Sequence, residues 1–361
     1  MLLYCYSYIL IKNKKMFKNI LQKSLELKAS DIIMSANARP TLKMKGEISF
    51  MEEYKKVVSK DEMKKIVFST MSEVQQIRFI KEKELDYGIW FWKYRFRVNA
   101  FMTRNGMWIV CRPIATDVPE FDKLWLPEAV RSFAHKTNWL VLVTGSVWSW
   151  KSTSMISLIN EINKNHAKHI ITVEDPIEFI FENNKSLIEQ REVENSTLTF
   201  ENGLKYALRQ APDVIMVWEM RDLETFRLAL RAAETWNLVF ATLHTSGAAR
   251  TVSRVIDMFP AGEKAQVKAQ LAESLIWVVW QKLLKTSNWK WRALAAEVMV
   301  NNTSVSNLIR KGDTHQINSV IETSAWEWMI NMRRTLEKLY EKWIITEKLY
   351  NEEIKLLWRD L

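Results

Sequence analysis

The chain has 361 residues, 48% of them apolar, which predicts a globular protein of two domains. Its net charge of +10 comes from lysines scattered along the sequence, a pattern that favours a solvated basic surface over a dedicated nucleic-acid or membrane patch. No apolar run is long enough to predict a membrane span. With Cys5 and Cys111 as the only cysteines, and no metal-ligand spacing among the histidines, the sequence excludes a disulfide framework and a four-cysteine zinc site, and we expect a cytosolic protein.

Glycine is rare in this chain and tryptophan is abundant. The sequence contains 8 glycines and 17 tryptophans, and the two counts together restore the usual glycine share of about 7%. Many tryptophans stand in turn-like segments, such as KLWLP around Trp125 and AETWNLVF around Trp236. Core aromatics should follow the apolar period, and these residues interrupt it.

Codon usage offers one explanation for this composition. UGA differs by one base from UGG, which encodes tryptophan, and by one base from GGA, which encodes glycine; some bacterial lineages read UGA as glycine. We therefore hypothesise that the gene has UGA codons at these positions, which conceptual translation renders as tryptophan and the cell reads as glycine. The alternative is that the tryptophans are ordinary core or surface aromatics, and the codons of the gene decide between the two.

The first informative element is a strand predicted at residues 140–145, which leads into GSVWSWKS. This segment has the frame of a phosphate-binding loop, G-x-x-x-x-G-K-[ST], with Trp150 in the second glycine position, where an indole would oppose the turn. In such a loop backbone N–H groups surround the phosphates, Lys151 reaches the terminal phosphates, and the Ser152 hydroxyl binds Mg²⁺. The predicted ATP-binding residues are Gly145, Ser146, Val147, Trp148, Ser149, Trp150, Lys151, Ser152 and Thr153, and the predicted cofactors are ATP and Mg²⁺.

Three further apolar runs, at residues 170–176, 213–219 and 238–245, each end in polar residues and are separated by helical patterns. Continuous apolar strands that alternate with helices predict a parallel sheet covered on both faces, whose ligands bind at the carboxyl ends of the strands. We therefore expect an α/β fold with a P-loop NTPase core.

Three residues at these strand ends are the predicted catalytic group. Glu219 is placed to orient or deprotonate the attacking water, and Glu174 is a second acid. His244 either senses the terminal phosphate through a hydrogen bond or is a satisfied core histidine. For the two glutamates, the alternative is a place near a helix N-terminus, where carboxylates are also favourable.

Several segments resemble the secretion ATPases, and the type IV pilus retraction ATPases (the PilT family) most closely. HIITVEDPIEF is similar to the Asp box, VIMVWEMRDLETF to the Walker B segment, and LVFATLHTSGAARTVSRVIDMFP to the His box. The resemblance also covers QREV at Gln190, and it runs from about Met16 to near the C-terminus. Members of the family carry glycine where this chain has tryptophan, at Trp90, Trp125, Trp139, Trp148, Trp150, Trp218, Trp236 and Trp277.

The resemblance implies a homo-hexameric ring with ATP bound between two domains. It implies a smaller N-terminal α+β PAS-like domain at residues 16–113, a linker at 114–120, and the RecA-like ATPase domain with a C-terminal helical segment at 121–361. Residues 1–15 lie outside it, so we expect Met16 to be the true start; the alternative is a short amphipathic segment that touches a membrane. The candidate arginines for the nucleotide, with ordinary strand surface as the alternative, are Arg95, Arg97 and Arg112.

The function implied is an ATPase motor that powers pilus retraction in twitching motility. Such a motor would be cytoplasmic, at the inner face of the membrane, and would contact an inner-membrane platform protein. The lack of a four-cysteine zinc module, and SVSNLIRKG at residues 304–312, favour retraction over the alternative of a pilus-extension or type II secretion ATPase. A nucleic-acid translocase would need a clustered basic stripe, which the sequence lacks, and a non-enzymatic ring scaffold would follow if the tryptophans are real.

Overall fold

The computed structural model describes residues 15–44, 46–92, 94–114, 118–146, 149–220, 222–288, 291–324 and 328–360. The chain divides into two compact units, residues 1–116 and 117–361. Residues 1–14 of the predicted N-terminal extension lie outside the described part, and the predicted domain limits at 113 and 121 stay predictions. Within the described ranges, no helix combines the length and apolar character needed to cross a bilayer.

The N-terminal unit is an antiparallel sheet with helices packed on it, so its α+β class is confirmed. The strands are β1 (Asp31–Ser35), β2 (Thr41–Met44), β3 (Glu47–Phe50), β4 (Glu84–Phe91), β5 (Tyr94–Thr103) and β6 (Gly106–Ile114), and the helices are α1 (Lys15–Glu26), α2 (Lys60–Ser69) and α3 (Glu73–Glu82). The strands follow the spatial order β3-β2-β1-β6-β5-β4. Helix residues Phe17, Ile66 and Phe79 are fully buried against the sheet.

The C-terminal unit is built on a seven-stranded sheet. The strands are β7 (Trp139–Gly145), β8 (His169–Glu174), β9 (Leu187–Glu192), β10 (Val214–Val217), β11 (Leu238–Leu243), β12 (Leu275–Lys285) and β13 (Arg292–Val300). They follow the spatial order β13-β12-β7-β11-β10-β8-β9, and all neighbouring pairs are parallel except β12 and β13, which are antiparallel. The four predicted strands are confirmed as β7, β8, β10 and β11, which lie side by side.

Helices cover both faces of this sheet, as the unbroken apolar strands predict. Leu142 belongs to a core cluster with Phe226 on one face, and its neighbour Val143 packs with Ile159 in a cluster on the other. The helices are α4 (Glu128–Arg131), α5 (Lys151–Asn165), α6 (Phe200–Ala207), α7 (Leu223–Glu234), α8 (Ala248–Asp257), α9 (Lys264–Ser274), α10 (Thr303–Lys311), α11 (Ile317–Thr323), α12 (Met332–Glu341) and α13 (Glu347–Asp360). The α/β class predicted for this unit is therefore confirmed.

Candidate nucleotide site

The predicted site residues of the C-terminal unit lie at one edge of its sheet. Gly145 and Glu174 are the last residues of β7 and β8, Glu219 follows β10 by two residues, and His244 comes directly after β11. Because these four strands are parallel, their carboxyl ends face the same edge, where ligands of such sheets bind.

The loop after β7 requires a residue without a side chain at its start. Gly145 has φ 146°, and a Cβ there would lie 2.4 Å from the carbonyl oxygen of Gln281 and 2.5 Å from Oγ of Ser149. The loop then turns, because the Ser149 hydroxyl donates to the carbonyl oxygen of Ser146 at 2.8 Å. The predicted ligands Val147 and Trp148 lie outside the described residues.

The loop ends at Trp150, which is the N-cap of α5. Its backbone is left-handed, with φ 61° and ψ 26°, and its side chain makes no capping hydrogen bond. The N–H groups in the first turn of a helix have no partner within the helix, and anions bind favourably there. The Ser152 and Thr153 hydroxyls belong to the same turn and are half-buried.

Lys151 is a buried cation that lies across the loop. Its Nζ donates to the carbonyl oxygens of Gly145 and Ser146, both at 2.8 Å. Burial lowers the pKa of Lys151 to about 8, although the negative charges of Glu219 and Glu178 oppose the change. The residue that contributes a positive charge to this edge is therefore close to its titration range at neutral pH.

His244 lies between Lys151 and Glu219. Its Nδ1 is 3.4 Å from Nζ of Lys151, and its Nε2 is 3.2 Å from Oε1 of Glu219. A lysine ammonium can only donate, so this arrangement suits a neutral imidazole that accepts at Nδ1 and donates from Nε2 to the carboxylate. The side chain is 42% exposed, which does not fit the alternative of a core histidine.

Glu174 is fully buried, and two neighbouring side chains donate hydrogen bonds to its carboxyl group. The Thr172 hydroxyl donates to its Oε1 at 2.6 Å, and Nε2 of Gln190 donates to the same oxygen at 3.0 Å. Burial raises the pKa of Glu174 to about 7, and these hydrogen bonds oppose the rise. A carboxyl group with this pKa can gain or lose a proton at neutral pH, which is typical of functional sites.

The sequence did not predict Thr172 or Gln190 as site residues. They are register partners on β8 and β9, so pairing of these strands brings both side chains to Glu174. Gln190 stands in the segment QREV that takes part in the family resemblance, and this is the only signal in the sequence that could have indicated it.

A metal cage made of side chains alone is not found in the described ranges, where no group of three or more His, Cys, Asp or Glu residues is arranged to hold a metal ion. Proteins usually bind Mg²⁺ through few side chains together with phosphate oxygens and water. The Ser152 hydroxyl suits such a partial site because it is a hard oxygen ligand in the first turn of α5.

The three candidate arginines lie on β5 and β6 of the N-terminal unit. Arg97 and Arg112 are cross-strand partners, and Arg95 is buried with its guanidinium 5.5 Å from the ring centre of Trp90. Arg112 pairs with the Asp31 carboxylate at 2.7 Å. Each guanidinium has contacts within its own unit, and a role towards the nucleotide stays a prediction.

Comparison with known proteins assigns the chain to a family. Residues 11–323 match the family described as Type II/IV secretion system protein. The chain is 45% identical to a twitching motility protein of Neisseria gonorrhoeae over 80% of this chain and 77% of that protein. It is 39% identical to the type IV pilus retraction ATPase PilT of Pseudomonas aeruginosa over 91% of this chain and 95% of that protein.

A solved structure shows the same relationship. A crystal structure of the pilus retraction motor PilT with bound ADP superposes with a TM-score of 0.87 and 39% identity, covering 93% of this chain and 96% of that one. The fold and the sequence thus agree. The chain belongs to the type II/IV secretion system protein family.

Proposed function

We propose that the protein is an ATPase motor that hydrolyses ATP, with Mg²⁺, to power the retraction of type IV pili. The observation that carries the proposal is the meeting of Lys151, His244 and Glu219 beside a phosphate-type loop. The similarity to a retraction ATPase over nearly its whole length supports the same function.

In the proposed mechanism, the N–H groups of the loop and of the first turn of α5 bind the phosphates. Lys151 exchanges its two carbonyl partners for phosphate oxygens, which suit its charge better. Mg²⁺, held by Ser152 and the phosphates, would neutralise negative charge during transfer. Glu219 orients or deprotonates the attacking water, and Glu174 is the second acid of the site.

His244 couples two parts of this site. It contacts Lys151 through Nδ1 and Glu219 through Nε2, so a movement of Lys151 towards a phosphate would remove the hydrogen bond that Nδ1 accepts. We propose that His244 responds to the terminal phosphate through Lys151 in this way, since its contact with the lysine would differ between the free and the occupied site.

We further propose a homo-hexameric ring, cytoplasmic and at the inner face of the membrane, that acts on a platform protein of the pilus machinery. The family resemblance supports this assembly. Arg95, Arg97 and Arg112 are proposed to act on the nucleotide because guanidinium groups stabilise the charge of a transferring phosphoryl group.

Replacement of Glu219 by glutamine in the cell's own gene tests this function. We expect a folded protein that binds ATP but does not hydrolyse it, and cells with abundant, motionless surface pili. Glu201→Gln is the matched control, because Glu201 is exposed in the first turn of α6, and it should leave movement unchanged. Normal movement with Glu219→Gln would refute the catalytic role, and a loss of surface pili would instead indicate an extension ATPase.

A further inference from the structure

The tryptophans of this chain are concentrated in an unusual backbone conformation. Among the described residues, twelve that are not glycine have a positive φ, and seven of these twelve are tryptophan. A positive φ is uncommon for any residue with a side chain, and for a bulky one it is an outlier, because Cβ crowds the following carbonyl oxygen. The seven, with φ between 53° and 113°, are Trp92, Trp125, Trp139, Trp150, Trp236, Trp328 and Trp343.

Trp343 occupies a glycine position at the end of α12. The Trp343 N–H donates to the carbonyl oxygen of Tyr340 at 2.8 Å, and the Ile344 N–H donates to that of Leu339 at 2.9 Å. These are the two hydrogen bonds of a Schellman motif, whose left-handed residue is usually glycine.

A real glycine elsewhere in the chain makes the same motif. At the end of α10, the Gly312 N–H donates to the carbonyl oxygen of Ile309 at 3.1 Å, and the Asp313 N–H donates to that of Leu308 at 3.0 Å. Gly312 has φ 91°. Trp343 and Gly312 thus have the same backbone role, and only one has the residue type that this role favours.

Trp236 and Trp139 also have backbone conformations that favour glycine. Trp236 follows α7 with φ 69°, and the next N–H, of Asn237, donates back to the carbonyl oxygen of Ala232, which is the longer Schellman bond. Trp139 begins β7 with φ 113°, beyond the left-handed region that side chains tolerate.

Most of these side chains bury little area that could compensate for this strain. Five of the seven, Trp92, Trp125, Trp236, Trp328 and Trp343, are 54% to 81% exposed, whereas tryptophan normally stabilises a protein through the large apolar area that it buries. By contrast, Trp218, Trp277 and Trp280 are buried and do not have a positive φ. The ring of Trp277 stacks on that of Phe133, with 3.8 Å between the ring centres. A positive φ is therefore a property of certain positions and not of tryptophan in this chain.

We infer that the native protein carries glycine at positions 92, 125, 139, 150, 236, 328 and 343. At position 150 the consequence concerns the nucleotide site, since the phosphate loop then has glycine at both of its defining positions, 145 and 150, and its backbone is open to a phosphate. The inference rests on backbone conformation and not on the proposed function, so the function can fail while the inference stands; tryptophan at position 150 alone would count against both, and tryptophan at the other six positions only against the inference.

Peptide mass spectrometry of the protein purified from its own cells tests this directly. Each position at which glycine replaces tryptophan lowers the mass of its peptide by the difference between an indolylmethyl group and a hydrogen atom. We expect glycine at all seven positions. Tryptophan at any of them overturns the assignment, whatever the ATPase activity of the sample.

Unfolding of the chain with tryptophan, produced recombinantly, provides a second test. We expect Trp343→Gly to raise the folding equilibrium constant about tenfold, because a left-handed residue with a side chain is strained. Trp343→Ala removes the same indole but keeps a Cβ, and Lys342→Gly changes the adjacent residue, whose φ is −84°. A gain with glycine alone supports the inference; an equal gain with Trp343→Ala, or a gain with Lys342→Gly, overturns it.

Discussion

Replacing Glu174 by glutamine should stabilise the protein at neutral and alkaline pH and abolish its ATPase activity. The Glu174 side chain is fully buried, and burial raises its pKa from 4.5 to about 7. The folded state therefore keeps the proton up to about pH 7, whereas the unfolded chain loses it near 4.5. The folded state binds more protons in this interval, so the free energy of unfolding falls as pH rises through it and stays lower above pH 7.

The size of the effect follows from the pKa difference. At about 1.4 kcal/mol for each pKa unit, ionised Glu174 costs about 3 kcal/mol at pH 8. Glutamine cannot ionise, and its carbonyl oxygen can still accept hydrogen bonds from Thr172 and Gln190. Glu174→Gln should thus exceed the parent by about 3 kcal/mol at pH 8, and by less than 1 kcal/mol at pH 5.

Urea unfolding of both proteins at pH 5 and pH 8 measures this difference. Glu201→Gln is again the control, since an exposed carboxylate should give the same result at both values of pH. A stability gain together with lost hydrolysis is what a strained functional residue produces. A difference between parent and Glu174→Gln that is the same at pH 5 and pH 8 would refute the reasoning.

Two further predictions concern the phosphate loop. Gly145→Ala should lower the free energy of unfolding by about 1–3 kcal/mol and abolish nucleotide binding, because its Cβ would lie 2.4 Å from the carbonyl oxygen of Gln281. Gly262→Ala is the control, since its Cβ would have no atom within 4 Å. Urea unfolding and nucleotide titration should show no change in stability or affinity for this control. Nucleotide affinity should fall above pH 8, because Lys151 of the free protein loses its proton near its pKa of about 8 while bound phosphates favour the ammonium form. Calorimetry at pH 9 in buffers of different ionisation enthalpy should show proton uptake on binding, and Lys151→Arg should remove this uptake; a parent affinity that does not change between pH 7 and 9.5 would be inconsistent with a titrating Lys151.

The strands of the ATPase core could be predicted where both faces are buried. The segments that became β7, β8, β10 and β11 are unbroken apolar runs with polar ends, and their order along the sheet follows from parallel pairing. The apolar pattern does not predict β9, β12 and β13. Strand β13 contains the segment ALAAEV, whose alanines favour helix, and β9, at the edge of the sheet, has two apolar residues followed by four polar ones, LIEQRE.

The sequence could predict which residue types form the site and at which strand ends they lie, but it could not predict the contacts between their side chains. The polar residues at strand ends indicated Glu174, Glu219 and His244, because parallel strands end at one edge. That His244 lies between Lys151 and Glu219 depends on side-chain directions that no linear pattern contains.

The composition could indicate that tryptophan stands in place of glycine in this chain, but it could not indicate at which of these positions the backbone requires glycine. Periodicity carries no information on φ. Nothing in the sequence distinguishes Trp343 from Trp280. The structure shows that Trp343 is an exposed residue with a left-handed backbone and that Trp280 is a buried strand residue.

The most direct test of the proposed catalytic site is the rate of Mg²⁺-dependent ATP hydrolysis by the protein purified from its own cells, measured beside its Glu219→Gln variant. We expect steady hydrolysis by the parent, and none by the variant at an unchanged affinity for ATP. Equal rates for the two proteins, or no hydrolysis by a folded, nucleotide-bound parent, would contradict an ATPase centred on Lys151 and Glu219.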